Sequence, residues 1–234
     1  MSTEVALPAK VTWLGHAALV LRKDLAIERR TGEVTTTAGF FALLVVVLSS
    51  VAFTVGDSRL SVSPGVVWIS VAFAAVLAIG RSWHREREES ALLGLIVSPV
   101  PPSALFAGKA AGIFVFLCAV ELMVVPAVAL LFSLDLPALA PGLALIALGA
   151  TPGIAASGTL FGAMTVRTRA RDLVLASVLF PLLSPTLLAA VGATRELVGG
   201  ASIAELWDYL LLMSAFDVVF ALGGLTLFSA LVEG

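Results

Sequence analysis

Charge is scarce in this chain. Asp, Glu, Lys and Arg make up only 13% of its 234 residues, against roughly 25% in ordinary soluble domains. So few charges cannot cover a water-facing surface, which excludes a freely soluble globule. Cysteine occurs once, as Cys118 in an apolar run, so no intrachain disulfide is possible and cysteine says little about compartment. The two histidines, His16 and His84, lie far apart, and no His/Cys set has metal-ligand spacing. A phosphate loop of the G-x-x-x-x-G-K-[ST] type is missing as well. Ala107-Gly108-Lys109-Ala110 lacks both the first glycine and the terminal hydroxyl, so ATP is not expected to bind a loop of this chain. No nucleophile–base set is evident, and an enzyme is a poor expectation. A net charge of -2 argues against nucleic acid, which needs a concentrated basic patch. Met1 to Lys10 shows no cleavable signal pattern.

Apolar length takes the place of charge. Hydrophobic residues make up 59% of the chain, and the mean hydropathy is +1.07. A helix needs about 20 apolar residues to cross a bilayer core. Runs of that kind cover 38–56, 65–82, 110–134, 142–166, 173–193 and 209–232. The expectation is an all-α polytopic membrane protein, a single transmembrane domain of six transmembrane helices over residues 1–234. The connections carry the basic residues. Lys10, Arg22, Lys23, Arg29 and Arg30 precede the first span; Arg81, Arg85, Arg87 and Lys109 fall between spans two and three; Arg167, Arg169 and Arg171 fall between spans four and five. Of the 14 Lys and Arg, only Arg59 and Arg195 lie on the other side. The positive-inside rule then places both termini in the cytoplasm.

Two cytoplasmic segments read as helices too polar to span. The first covers 11–30. Trp13, Leu14, Ala17, Ala18, Leu21 and Leu25 recur at helical spacing beside Arg22, Lys23, Arg29 and Arg30. This pattern fits a helix lying in the membrane interface, apolar side down, with cations toward anionic headgroups. The second covers 84–99. It opens on Arg85, Glu86, Arg87, Glu88 and Glu89, turns apolar at Leu92, Leu93, Leu95 and Ile96, and closes at Pro99, with Pro101 and Pro102 beyond. A docking helix for a cytoplasmic partner and a plain interfacial connector both fit it. On the outer side, Thr194 to Asp208 reads as a short half-buried helix, with Trp207 and Tyr209 in the interfacial aromatic belt.

Within the spans, Glu121 and Asp217 stand out. A carboxylate at mid-membrane costs roughly 2.5 to 3.5 kcal/mol on insertion scales, so each should face a partner group or water. A polar path, a proton relay and a purely structural contact all fit. The pairs Gly108/Gly112, Gly149/Gly153 and Gly158/Gly162 have the spacing of close helix contacts, within one bundle or across a dimer. Pro126, Pro152, Pro181 and Pro185 interrupt spans, which neighbouring helices can tolerate.

The order of these features resembles a known family. An amphipathic leading helix is followed by two spans and by a charged helix ending Leu92-Leu93-Gly94-Leu95-Ile96-Val97-Ser98-Pro99. Gly108-Lys109 then opens span three. Gly149-Ala150-Thr151-Pro152-Gly153, Arg167-Thr168-Arg169-Ala170-Arg171-Asp172 and Phe180-Pro181-Leu182-Leu183-Ser184-Pro185 follow. Over roughly Leu19 to Val232 this is similar to CcmB, the haem exporter protein B family, the membrane subunit of the ABC transporter of cytochrome c maturation. The resemblance implies a six-span ABC-2-type permease in a bacterial inner membrane, working as a homodimer with a separate cytoplasmic ATPase subunit. It implies further partners: a second, haem-handling membrane protein (the C component of the same transporter), a small single-span subunit and a haem chaperone. ATP would sit on the ATPase and haem with the other proteins, leaving no cofactor bound here. The 84–99 segment becomes the coupling helix, with Arg85 to Glu89 orienting the ATPase and Leu92, Leu93 and Leu95 filling its groove. The chain lacks a tryptophan-rich haem motif and departs from the family in its short outer loop, Asp57 to Ser63, and in a tail without a basic anchor. The alternatives are a generic ABC-2 permease for a lipid, polysaccharide or drug-like substrate, and a scaffold that needs no ATP.

Overall fold

A computed structural model describes residues 12–53, 59–88, 100–165 and 171–233, with the backbone alone at 85–88, 171–176 and 232–233. Among the described residues all regular structure is helical: α1 (Trp13–Thr31), α2 (Glu33–Ala52), α3 (Arg59–Glu88), α4 (Pro102–Phe132), α5 (Leu136–Thr165), α6 (Arg171–Val198), a 3-10 turn (Ile203–Leu206) and α7 (Trp207–Glu233). Six helical stretches are long and apolar enough to cross a membrane: Glu33–Ala52, Arg59–His84, Pro102–Phe132, Leu136–Thr165, Ser177–Val198 and Ile203–Leu231. The chain is an all-α polytopic membrane protein. Lipid leaves a backbone few other options, because a helix bonds its own N–H and C=O groups.

The helices begin earlier than the apolar runs alone indicate. They start at Glu33 rather than Ala38, Arg59 rather than Gly65, Pro102 rather than Ala110 and Leu136 rather than Gly142. Polar residues open α2 and α3 ahead of their apolar runs, whereas proline marks the other two starts, Pro102 as the first residue of α4 and Pro137 as the second of α5. At the other end of α3, His84 to Glu88 continue the helix without a break. His84 to Glu88 therefore form the last turn of α3, and residues 89–99 of the 84–99 segment lie outside the described residues.

The leading helix departs from the simple interfacial picture. Thr12 caps α1, its Oγ1 accepting from the Gly15 N–H at 3.2 Å. Gly32 ends it in the left-handed region at φ 61°, a conformation that suits glycine. The buried residues of α1 are Val20, Asp24 and Glu28, while Trp13, Leu14 and Leu19 stay exposed. The stripe that meets the bundle is thus partly charged, and of the large apolar residues Leu14 and Leu19 are left the most exposed. Successive residues of α1 meet successive residues of α4: Trp13 donates to Ser103, and Ala17 and Val20 lie over Gly108. Leu21 and Asp24 then lie over Gly112. The two helices run in the same sense.

Helix α3 sits innermost, with 67% of its apolar window buried, and α7 lies at the rim with 11%. Two apolar clusters fill the bundle. One, toward the end away from the basic residues, includes Val66, Trp68, Val128, Phe132, Ile146, Ala193, Leu197 and Leu206. The other, toward the basic end, includes Ile79, Trp83, Phe106, Ile113, Ile154, Leu160 and Phe228. A buried bond from Trp68 Nε1–H to Thr194 Oγ1, 2.9 Å long, ties α3 to α6. The connection between α6 and α7 turns at Gly199-Gly200, then forms its 3-10 turn, whose cap residue Ser202 donates its N–H to Glu205 Oε2 at 2.7 Å. Leu206 is buried there, Trp207 is exposed, and Tyr209 packs over Gly192.

The three glycine pairs all serve contacts within the chain. Gly108 and Gly112 receive α1, Gly149 and Gly153 receive α7 at Met213 and Phe216, and Gly158 and Gly162 receive α3 at Ile79 and Trp83. At Gly108 a methyl group would strike the backbone carbonyl of Ala17, which cannot turn aside as a side-chain tip can. Gly108→Val should therefore destabilise the protein by about 1–3 kcal/mol, measured by reversible unfolding in mixed micelles. Gly65→Ala, where nothing lies within 4 Å, should be neutral or stabilising by up to about 1 kcal/mol.

Candidate functional site: a charged node at the basic end of the bundle

Proline at the first position of α4 suits a helix start, where its missing N–H is not needed. Two turns on, that start carries Lys109 inward rather than into a connection, where the apolar runs alone had put it. The side chain is only 2% exposed. Its Nζ lies 3.0 Å from Asp24 Oδ2 and 3.2 Å from Asp24 Oδ1 on α1. The same ammonium sits 5.7 Å from the centre of the Trp83 ring on α3, within the range of a cation–π contact. Lys23 Nζ adds a third group, 3.4 Å from Asp24 Oδ1. One buried cation therefore joins three helices. Removing one partner of such a pair costs about 3–5 kcal/mol, because the other is left charged and dry.

One helical turn beyond Asp24, Glu28 holds the start of the next element. Its Oε1 accepts from the Thr35 N–H at 2.7 Å and its Oε2 from the Val34 N–H at 3.3 Å. A helix start has N–H groups with no partner inside the helix, and here a side chain from α1 supplies one. Arg81 on α3 reaches Glu33 on α2 at 2.7 Å, but both side chains are about half exposed, and exposed pairs contribute about 0–1 kcal/mol. Asp24, Glu28 and Lys109 were not among the residues that sequence reasoning singled out for a site. The available signal was a pair of acids at i, i+4 on an otherwise cationic helix, and a lysine inside an apolar one.

The intramembrane acids each meet α5. Glu121 on α4 is buried and accepts from Thr151 Oγ1 at 2.5 Å. Asp217 on α7 is half buried and lies over Gly153. The Gly149-Ala150-Thr151-Pro152-Gly153 stretch thus offers a hydroxyl to one acid and a bare backbone to the other. Trp13 walls an apolar cleft of about 290 Å³ with Phe106, Ala110, Phe114, Pro152 and Leu225. Its lining offers no side chain to orient a polar ligand. Among the described residues no three His, Cys, Asp or Glu side chains gather as metal ligands would. Arg85, Glu86, Arg87 and Glu88 fall on the last turns of α3, with only their backbone described. Glu89, Leu92, Leu93, Leu95 and Pro99 lie outside the described residues.

These features define a multi-pass α-helical membrane protein with a buried ion pair, Lys109–Asp24, at one end of the bundle. The family model described as CcmB protein matches residues 16–231. Three relatives called heme exporter protein B are similar to the chain. That of Paracoccus denitrificans is 30% identical over 187 residues, 79% of this chain and 84% of its own. Those of Bradyrhizobium diazoefficiens and Pseudomonas aeruginosa are both 27% identical, covering 77% and 78% of this chain and 82% and 81% of their own. The chain belongs to the CcmB family.

The Glu121–Thr151 bond generates a stability prediction. Interhelical hydrogen bonds in membranes average about 0.6 kcal/mol and reach about 1.7. Thr151→Val should destabilise the bundle by about 0.5–2 kcal/mol, and Glu121→Gln, which keeps an acceptor, by less than about 0.6 kcal/mol. Unfolding in mixed micelles measures both.

Proposed function

We propose that this chain is the membrane subunit of an ABC transporter complex for cytochrome c biogenesis. In this reading it lies in a bacterial inner membrane with both termini in the cytoplasm, and it is not itself an enzyme. The observation that carries the reading is the family match over residues 16–231, joined to the course of the chain around the charged segment. Helix α3 leaves its span and stays helical through Glu88. The chain then returns at Pro102 into α4 at the same end of the bundle. A segment held between two span ends is well placed to pass force to both.

That placement supports a transducing mechanism. A separate ATPase subunit binds the 84–99 segment, with Arg85, Glu86, Arg87, Glu88 and Glu89 orienting it and Leu92, Leu93 and Leu95 filling a groove ahead of the Pro99 elbow. Closure of two ATPase subunits on a homodimer of this chain shifts the spans. The outer face, including the turn at Ile203–Leu206, then changes its fit to partners. Those partners are the haem-handling membrane protein that forms the C component of the transporter, a small single-span subunit and the haem-loaded chaperone, which is released. Haem stays with them and ATP with the ATPase, so this chain holds neither as a cofactor. The name heme exporter protein B of the relatives supports the link to haem. A permease that moves a lipid, polysaccharide or drug-like substrate past Glu121 draws less support, because that carboxylate is turned into a contact with Thr151.

Leu92→Asp combined with Leu93→Asp should reduce co-purification of the ATPase at least about tenfold, equivalent to about 1.4 kcal/mol. The amount of chain in the membrane should not change. Mass spectrometry of the complex in mild detergent reads both. An ATPase that still co-purifies and cycles normally would falsify the coupling role.

A further inference from the structure

We propose that Lys109 is a positioning residue that links the start of α4 to the start of α2, with α1 as the lever between them. The direction of the signal rests on the transducer reading above; the mechanical link does not. Three contacts in series make the argument. Lys109 is held between Trp83 near the end of α3 and Asp24 on α1. The end of α3 and the start of α4 bracket residues 89–99, so a displacement there moves Trp83 and Lys109 together. Asp24 carries the displacement into α1, because the ammonium cannot leave the carboxylate without exposing a buried charge. One turn later Glu28 accepts the Val34 and Thr35 N–H groups. The only residue between α1 and α2 is Gly32, at φ 61°. A single residue leaves little slack, so a shift of α1 becomes a shift of the first span.

A bundle held only by apolar packing would not need this chain of charges. Gly108 and Gly112 already bring α1 close to α4. The buried pair adds register: the ammonium held on the Asp24 carboxylate fixes where along α4 the lever sits, which apolar contact does not.

The test uses amide hydrogen exchange on the purified chain in lipid nanodiscs, with no partner present. Lys109→Met keeps the length of the side chain but removes its charge. It should raise exchange at residues 33–36 by about tenfold, although it touches none of them, and leave residues 149–153 unchanged. Lys109→Arg should keep exchange at 33–36 within about twofold of the original chain. Asp24→Asn should act as Lys109→Met does, and the double variant should be no worse than either single one, as for two members of one interaction. Unchanged exchange at 33–36 in Lys109→Met would overturn the proposal, and so would a uniform rise that includes 149–153. If Lys109→Met fails to insert, the Arg and Asn variants decide: raised exchange with Lys109→Arg, or none with Asp24→Asn, sinks it. In the assembled complex, Lys109→Met should keep the ATPase bound while cytochrome c maturation falls about tenfold; intact maturation overturns the role of the link in transmission. If the exchange results hold but no ATPase ever associates, the transducer reading fails and the link stands.

Discussion

Close approach between helices is the constraint on which the rest of this structure depends. Inside a bilayer, apolar side chains gain little by leaving lipid for one another, so association rests on contact area and on a few polar bonds. This chain meets that requirement with paired glycines that let a neighbour sit directly on the backbone. Helix α5 uses two such pairs, receiving α7 at Gly149 and Gly153 and α3 at Gly158 and Gly162. Helix α4 uses a third to receive α1. Once those crossings are set, Thr151 lies within reach of Glu121 and the indole of Trp83 within reach of Lys109.

Charge follows from the same geometry. The chain has few charged groups, and those that are buried sit where a second helix supplies the counter-charge or the donor. Lys109 and Asp24 are both dry and both paired. Arg81 and Glu33 form a bond of similar length at the wet rim, yet screening by water leaves that bond weak. The contrast places the energetically important electrostatics on the α1–α4 contact. It also makes the leading helix part of the bundle, more than a float on the membrane surface.

Much of this was legible in the residues. Six spans follow from six apolar runs, because hydropathy and the length of a bilayer core leave few alternatives. The family resemblance rested on ordered motifs and is matched by the family model over 16–231. The helix starts at Glu33, Arg59, Pro102 and Leu136 were not legible, since a helix does not end where its apolar stretch does. The apolar spacing of α1 by itself suggests one lipid-facing side. That spacing could not reveal that Val20, Asp24 and Glu28 form the buried stripe, because a charged residue looks solvent-facing until its partner is known.

From the order of its residues alone, the chain dictates a helical membrane protein with its cations gathered on one side. Hydrocarbon admits only self-satisfied backbone, and basic connections resist crossing. Which glycine pair meets which helix, and that Lys109 pairs with a residue 85 positions earlier, came only from the folded arrangement. Contacts between distant segments depend on how several helices cross at once, and no local pattern of spacing encodes that.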